Sequence, residues 1–147
     1  MVNSQMYDIM LKTLLAHSVN EISVSEMVRR SEAIILDARA KNEFDVSHIK
    51  GAVWVGYDGF SKNRVKDLDK ENEVIVYCSV GYRSEIITEK LEKIGFSNVS
   101  NLYGGMFEWV NQDNDVVDND GQITNKVHAF NQEWGIWLSK GEKVFDE

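Results

Sequence analysis

Residues 74–84 have the sequence VIVYCSVGYRS, and this stretch predicts a buried strand, a short loop and the start of a helix. The segment 74–77 is apolar and rich in β-branched residues, which is typical of a strand covered on both faces of a parallel sheet. The segment 84–94 has its apolar residues on one helix face, and Gly95 follows it as a helix-ending residue. Cys78 therefore lies between the strand and the helix.

Short apolar segments and helix-like segments alternate on both sides of this stretch. Further strands are predicted at residues 33–36, 52–55 and 99–102. The alternation favours an α/β domain with a largely parallel central sheet and helices on both faces. Such sheets bind ligands at the carboxyl ends of their strands, so Cys78 is expected at the ligand-binding edge. Helices are expected over residues 6–17, 25–30, 41–46, 60–68, 84–94, 105–111 and 130–138.

The length of 147 residues favours a single domain. Residues 1–20 are expected to form an N-terminal helical extension, and residues 111–147 a C-terminal loop and helix that pack on the domain. Residues 111–121 are rich in Asn and Asp and end in the turn signal Asp120-Gly121. This segment is therefore predicted to be a surface loop or the end of a hairpin.

Composition excludes several classes of partner. The net charge of −8 comes from 24 acidic and 16 basic residues without a Lys/Arg cluster, so nucleic acid is not an expected partner. No stretch reaches the ~20 apolar residues of a membrane span, and the N-terminus lacks the basic region of a signal peptide. We expect a cytoplasmic protein, or a periplasmic one if a signal peptide has been removed. The three histidines lack metal-ligand spacing, so neither a metal nor a cofactor is expected.

Cys78 is the single cysteine of the chain, so an intrachain disulfide is excluded and the thiol is a candidate nucleophile. Arg83 and the start of the following helix place positive potential beside the sulfur. Gly81 lets the loop turn so that backbone N–H groups converge on one point. This setting favours the thiolate and would also stabilise an anionic persulfide. The candidate persulfide-binding loop comprises Ser79, Val80, Gly81, Tyr82 and Arg83.

Four segments resemble motifs of the rhodanese-like domain family, and they occur in the family's order. The segment 74–84 is similar to the family's active-site loop. The resemblance covers most of the chain and implies a sulfurtransferase fold, with Cys78 as the nucleophile and the loop amides as sulfur-binding groups. The other three segments are Asp37-Ala38-Arg39 followed by Glu43-Phe44, His48-Ile49-Lys50-Gly51-Ala52, and residues 101–109, NLYGGMFEW.

The length of the loop distinguishes two related chemistries. Four residues separate Cys78 from Arg83, as in rhodanese-like sulfurtransferases, whereas cell-cycle and tyrosine phosphatases have one residue more. The shorter loop suits a single sulfur atom better than a tetrahedral phosphate. Phosphatase or arsenate chemistry is therefore the less favoured alternative.

Two positions depart from the family's pattern. Ser79 follows Cys78 where thiosulfate-specific members often have a basic residue. Thiosulfate and a persulfide, carried by a small molecule or by a protein, are therefore equally open as donors. Lys50 stands where the family usually has proline, and we expect this to change the rigidity of a turn only.

Three charged residues are expected to support the loop. Asp37 is interpreted as an ion-pair partner of Arg83, and Glu43 as a partner of Arg39 or Arg83. Structural support is favoured over direct contact with the substrate for all three supporting residues, Asp37, Arg39 and Glu43.

Aromatic residues near the C-terminus are candidates for the core or for a lid. Trp134 and Trp137 are three residues apart and are expected on one helix face. The segment 127–138 is expected to pack beside the active site, either for packing alone or for substrate selection. Tyr82, inside the loop, is expected at the mouth of the pocket.

The residues and the resemblance together predict a two-step sulfur transfer. Cys78 takes a sulfane sulfur from a small donor, such as thiosulfate or a persulfide, and passes it to a thiol or to cyanide in a ping-pong scheme. A protein persulfide is an alternative donor. Two other roles stay open: a sulfur-relay carrier that hardly uses small donors, and a non-catalytic binding module, which the intact cysteine disfavours.

Overall fold

The computed structural model describes residues 2–146 and is built around a five-stranded sheet in which neighbouring strands are parallel. The strands are β1 (Glu21–Ile22), β2 (Ile34–Asp37), β3 (Val53–Trp54), β4 (Val74–Tyr77) and β5 (Val99–Leu102). Their spatial order is β1-β5-β4-β2-β3, so β4 lies at the centre. The register of β2 with β4 aligns Asp37 with Tyr77, and the residues that follow both strands meet at one edge.

Six helices join or flank these strands within residues 2–146. They are α1 (Gln5–Leu14), α2 (Val24–Met27), α3 (Lys41–Val46), α4 (Tyr82–Lys93), α5 (Gly105–Asn111) and α6 (Gln132–Gly135). α1 stops short of His17, whose φ of 56° is incompatible with a right-handed helix. α2 is capped by Ser23, which forms a capping box with Glu26, so the helix begins one residue before the predicted range 25–30 and ends at Met27. None of the helices in this range is long and apolar enough to cross a membrane.

Two of the predicted helices are much shorter than expected. The segment 60–68 forms only a 3-10 turn, Lys62–Val65, while Phe60 and Leu68 pack against the core from outside this turn. The segment 130–138 forms only the single turn of α6. Phe130 has a left-handed backbone with φ 71°, so the helix can begin only after it.

Alternate side chains of β4 point to opposite faces of the sheet. Val74 and Val76 pack in one apolar cluster with the buried face of α4, whereas Ile75 and Tyr77 pack in another with α1 and α5. All four side chains are fully buried, and each buried aliphatic side chain contributes roughly 1.5–3 kcal/mol to folding. Helices cover both faces, which confirms the predicted α/β architecture.

The Asn/Asp-rich segment forms the end of a hairpin, one of the two forms predicted for it. β6 (Val116–Val117) pairs antiparallel with β7 (Ile123–Thr124). A turn closes the hairpin, in which the N–H of Gly121 donates to the carbonyl of Asp118 over 3.0 Å. The carboxylate of Asp118 also accepts from the N–H groups of Asp120 and Gln122, so a polar side chain of the segment helps to close the turn.

The C-terminal segment returns over the first helix. β8 (Lys126–His128) and β9 (Glu142–Val144) form a parallel pair, and α6 lies between them in sequence. The ring of Trp137 stacks on that of Tyr7 in α1, with centroids 5.5 Å apart. This segment is thereby held close to the N-terminal helix, on the side of the sheet where α1 packs.

Candidate active site

Cys78 immediately follows β4, at the carboxyl edge of the sheet, and is 1% exposed. The backbone N–H of Gly81 donates a hydrogen bond to its Sγ over 3.1 Å. Gly81 adopts φ 127°, a conformation that residues with a side chain rarely adopt, so the turn requires glycine. Since Gly81 is also the N-cap of α4, Sγ lies at the N-terminus of a helix of 12 residues. The helix dipole and the N–H groups of the first turn therefore place positive potential beside the sulfur.

Asn101 and Ser84 hold the loop from the side of β5, and sequence reasoning assigned neither of them a role. The amide of Asn101 donates to the carbonyl of Gly81 over 3.0 Å and accepts from the Ser84 hydroxyl over 2.5 Å. Ser84 Oγ also lies 3.4 Å from the sulfur of Cys78. A hydroxyl has one hydrogen, so it can donate either to Asn101 or to the sulfur. The sequence signal for Asn101 was a polar residue within β5, the strand that neighbours β4.

The guanidinium of Arg83 is bonded to the side chain of Glu43 in α3. Its two terminal nitrogens donate to the two carboxylate oxygens of Glu43 over 2.7 and 3.0 Å, and one of them also donates to the Ser79 hydroxyl over 3.0 Å. Burial alone would raise the pKa of Glu43, but the hydrogen bond and charge of Arg83 outweigh it and lower that pKa. The pair therefore stays ionised and links α3 to the start of α4.

Asp37 does not pair with Arg83, which corrects the expectation from the sequence. The fully buried carboxylate of Asp37 accepts from the guanidinium of Arg39, with a shortest distance of 2.7 Å, and from the hydroxyl of Tyr77 over 2.6 Å. Arg39 also donates to the carbonyl of Ser47 over 2.7 Å. Asp37 and Arg39 thus pair with each other at the buried sheet edge, and neither residue is among those that line the pocket described next.

A pocket of about 440 Å³ opens beside Cys78. Its wall combines the predicted loop with two segments distant in sequence, the end of α1 and the C-terminal segment. Tyr82 is 47% exposed and lies at the pocket, as expected for a residue at its mouth. The lining residues are Leu14, Cys78, Ser79, Val80, Tyr82, Arg83, Phe130 and Trp134.

Phe130 is held in a strained turn against this pocket. Its φ of 71° is rare for a bulky side chain, and the N–H of Asn131 donates to the carbonyl of Ala129 over 2.9 Å across the turn. The N–H of Phe130 donates to Nδ1 of the buried His128 over 3.0 Å. The ring lies 5.1 Å from the guanidinium carbon of Arg83. The turn therefore places the aromatic ring of Phe130 against the guanidinium of Arg83.

Gly105 allows α5 to approach the loop closely. The N–H groups of Met106 and Phe107 donate to the carbonyls of Cys78 and Ser79 over 2.8 and 3.0 Å. A Cβ atom on Gly105 would lie 2.6 Å from each of these two carbonyl oxygens. Gly105 of the 101–109 motif thus has a steric reason, since any side chain there would push the loop that follows β4 away from α5.

Replacing Gly105 by alanine is expected to destabilise the protein by roughly 2–4 kcal/mol, since it adds a backbone clash to the cost of a left-handed conformation. Gly121→Ala is a matched control, because Gly121 also has a positive φ of 77° but has nothing within 4 Å of its Cβ position. The free energy of unfolding in urea measures both variants. Equal losses in the two variants would show that the close approach of α5 contributes nothing.

Within residues 2–146, no group of three or more His, Cys, Asp or Glu side chains is arranged to hold a metal ion. The chemistry available at the site is that of a single buried sulfur with amide and hydroxyl neighbours. Such a site can stabilise a sulfur anion and present it to a ligand in the pocket.

The sequence model of the Rhodanese-like domain family matches residues 22–112, more than half of the 147-residue chain. Among curated proteins, the tRNA uridine(34) hydroxylase of Hamiltonella defensa is 35% identical over 103 residues, covering 66% of this chain and 27% of that protein. The adenylyltransferase and sulfurtransferase UBA4 of Meyerozyma guilliermondii is 32% identical over 109 residues, covering 67% of this chain and 25% of that protein. The chain thus spans about a quarter of the length of these two relatives.

The fold has counterparts among solved structures. The BH2092 protein from Bacillus halodurans superimposes with a TM-score of 0.64 and is 22% identical, over 80% of this chain and 87% of that one. The parallel sheet and its covering helices are therefore shared, while the low identity limits the likeness to the fold.

Proposed function

The chain belongs to the Rhodanese-like domain family, and from this membership we propose that it is a sulfurtransferase that carries a sulfane sulfur as a persulfide on Cys78. The observation that carries the proposal is the hydrogen bond of 3.1 Å from the N–H of Gly81 to the sulfur, at the N-terminus of α4. A thiolate and a persulfide are both anions, so the same donors stabilise each of them. The word sulfurtransferase in the name of the UBA4 relative supports the same chemistry.

The proposed reaction has two balanced steps. The Cys78 thiolate attacks the sulfane sulfur of thiosulfate, the sulfur–sulfur bond of the donor breaks, and sulfite leaves with the electron pair. Cys78 then holds a persulfide anion. In the second step cyanide or a thiolate attacks the outer sulfur, and Cys78 leaves as a thiolate. The residues hold the anion and no cofactor takes part in either step.

The remaining loop residues act by shaping the binding site around the sulfur of Cys78. Ser79, Val80 and Tyr82 contribute backbone and lining, and Gly81 contributes the hydrogen bond to the sulfur. Arg83 acts as a positioning residue through its pair with Glu43. A phosphatase is disfavoured because the terminal nitrogens of this arginine are already bonded to a carboxylate.

Intact-mass measurement tests the proposal directly. Incubation with thiosulfate, or with a small-molecule persulfide, is expected to add one sulfur atom to the purified protein, and cyanide is expected to remove it as thiocyanate. A sulfur atom gained only from a persulfidated protein would favour the relay carrier. The absence of any gain with all of these donors would contradict the sulfurtransferase assignment and favour a binding module.

A further inference from the structure

We propose that the pocket selects sulfur donors with an apolar leaving group and at most one negative charge over the thiosulfate dianion. This inference rests on the proposed function and specifies its substrate class. It follows from three features of the pocket: its charge, its lining and the strain of its outer wall.

The side chains that line the pocket provide no free cation for a dianion. Arg83 is the single cation among the pocket-lining residues of the described part of the chain, and Glu43 engages both of its terminal nitrogens. The carboxylate of Glu43 is 2% exposed, so a donor that captured the arginine would leave a buried negative charge unpaired. With Cys78 as a thiolate, the three groups sum to one negative charge, which repels a doubly charged donor more than a singly charged one.

The lining is that of a pocket for an organic group. Leu14, Val80, Tyr82, Phe130 and Trp134 supply its apolar and aromatic surface. The volume of about 440 Å³ lies within the ~300–1,000 Å³ of pockets that hold organic ligands. Thiosulfate would fill little of this space, whereas a donor with an aromatic or aliphatic group would bury that group against the wall.

The strained turn at Phe130 is an independent observation that points to the same class of donor, one with an apolar group. A left-handed backbone at a bulky residue persists only where the surroundings hold it, and such residues cluster at ligand sites. Here the buried His128 accepts from the N–H of Phe130 and contacts Asp146 through its other nitrogen, 2.9 Å away. Asp146 is bonded in turn to Asn42 of α3 over 2.7 Å. The fold thus retains an aromatic ring over the face of the Arg83 guanidinium, which further reduces the access of an anion to this cation.

Thiosulfonates provide a donor series that changes only the leaving group. The Cys78 thiolate attacks the terminal sulfur of R–SO₂–S⁻, the sulfur–sulfur bond breaks, and the sulfinate R–SO₂⁻ leaves with the electron pair. The product on the protein is the same persulfide anion that thiosulfate would give. Benzenethiosulfonate and methanethiosulfonate each carry one negative charge and differ in apolar size, whereas thiosulfate carries two charges and no apolar group.

The test compares kcat/KM for these three donors with cyanide as acceptor, each divided by the rate of the same donor with free mercaptoethanol. We expect the corrected kcat/KM of benzenethiosulfonate to exceed that of methanethiosulfonate by at least ~10-fold, and both to exceed that of thiosulfate.

Two variants test the aromatic wall of the pocket. Phe130→Gly removes the ring while glycine tolerates the left-handed turn, and Trp134→Leu removes the second aromatic side chain. Both variants should bring the ratio of the aromatic to the methyl donor close to one. Ile136→Ala is the matched control, because Ile136 belongs to the same segment but is 66% exposed and does not line the pocket.

The outcomes separate this inference from the proposed function. Equal corrected rates for thiosulfate and benzenethiosulfonate would overturn the donor selectivity and leave the sulfurtransferase standing. An aromatic preference that persists unchanged in Phe130→Gly and Trp134→Leu would overturn the role of this pocket. If none of the three donors forms a persulfide on Cys78, the donor class proposed here is wrong, and the small-molecule and protein persulfides then decide whether the chain is a sulfurtransferase.

Discussion

Replacing Cys78 by serine is expected to remove persulfide formation and to lower sulfur transfer by more than about 10³-fold, to the background rate. Serine retains nearly the shape of cysteine and can accept the hydrogen bond from the N–H of Gly81, so the loop should keep its conformation. Its hydroxyl is a much weaker nucleophile toward sulfane sulfur than a thiolate at neutral pH. Intact mass after incubation with donor, together with thiocyanate production, measures both losses.

The single cysteine of the chain makes this variant unambiguous, since no second thiol can take over the sulfur. Urea unfolding serves as the control, and the free energy of unfolding should stay within about 1 kcal/mol of the parent protein. Transfer at a substantial fraction of the parental rate in a folded Cys78→Ser protein would remove Cys78 from its role as nucleophile.

The largest expected loss of stability follows from Asp37→Asn. Asp37 and Arg39 are both fully buried, and the substitution leaves the guanidinium without a counter-charge. The new amide would also direct N–H groups at the donors of Arg39 or at the hydroxyl of Tyr77, whichever way it turned. Breaking a buried pair in this way costs about 3–5 kcal/mol, measured as the free energy of unfolding in urea.

Asp113→Asn is the matched control for this substitution. Asp113 pairs with Lys140 over 2.7 Å, but its side chain is 73% exposed, and asparagine tolerates its positive φ of 68°. We expect a loss below about 1 kcal/mol. Similar losses in the two variants would mean that burial of the Asp37 pair adds nothing to its contribution.

The position of Cys78 was predictable because the signals for it are local. An apolar run, a glycine-containing loop and an amphipathic helix follow one another within residues 74–94, and the structure has β4 and α4 there. The two-sided burial of β4 follows from its uninterrupted apolar sequence in the same way. Local periodicity thus accounts for the central strand, the loop and the helix that carry the candidate nucleophile.

Partners distant in sequence could not be predicted from such patterns. The hydrogen bond from Asn101 to Gly81 depends on the register of β5 beside β4. Asp37 pairs with Arg39 and not with Arg83 because of which side chains are buried at the sheet edge. The left-handed turn at Phe130 is set by contacts of the C-terminal segment, which overrode the helical pattern of residues 130–138. These are tertiary effects: the polar residue in β5 was visible in the sequence, but its partner was not.

The burial of Cys78 at 1% exposure has a consequence for the fate of the transferred sulfur. In a persulfide the inner sulfur would be the buried Sγ, and the outer sulfur would extend toward the pocket. A thiolate that attacked the inner atom would release hydrogen sulfide and leave a mixed disulfide, which would block the protein. A thiolate that attacks the outer atom leaves as a new persulfide and regenerates Cys78. In the proposed reaction the protein core around Sγ would thereby impose regioselectivity, and each cycle would end with a free thiolate instead of a blocked mixed disulfide.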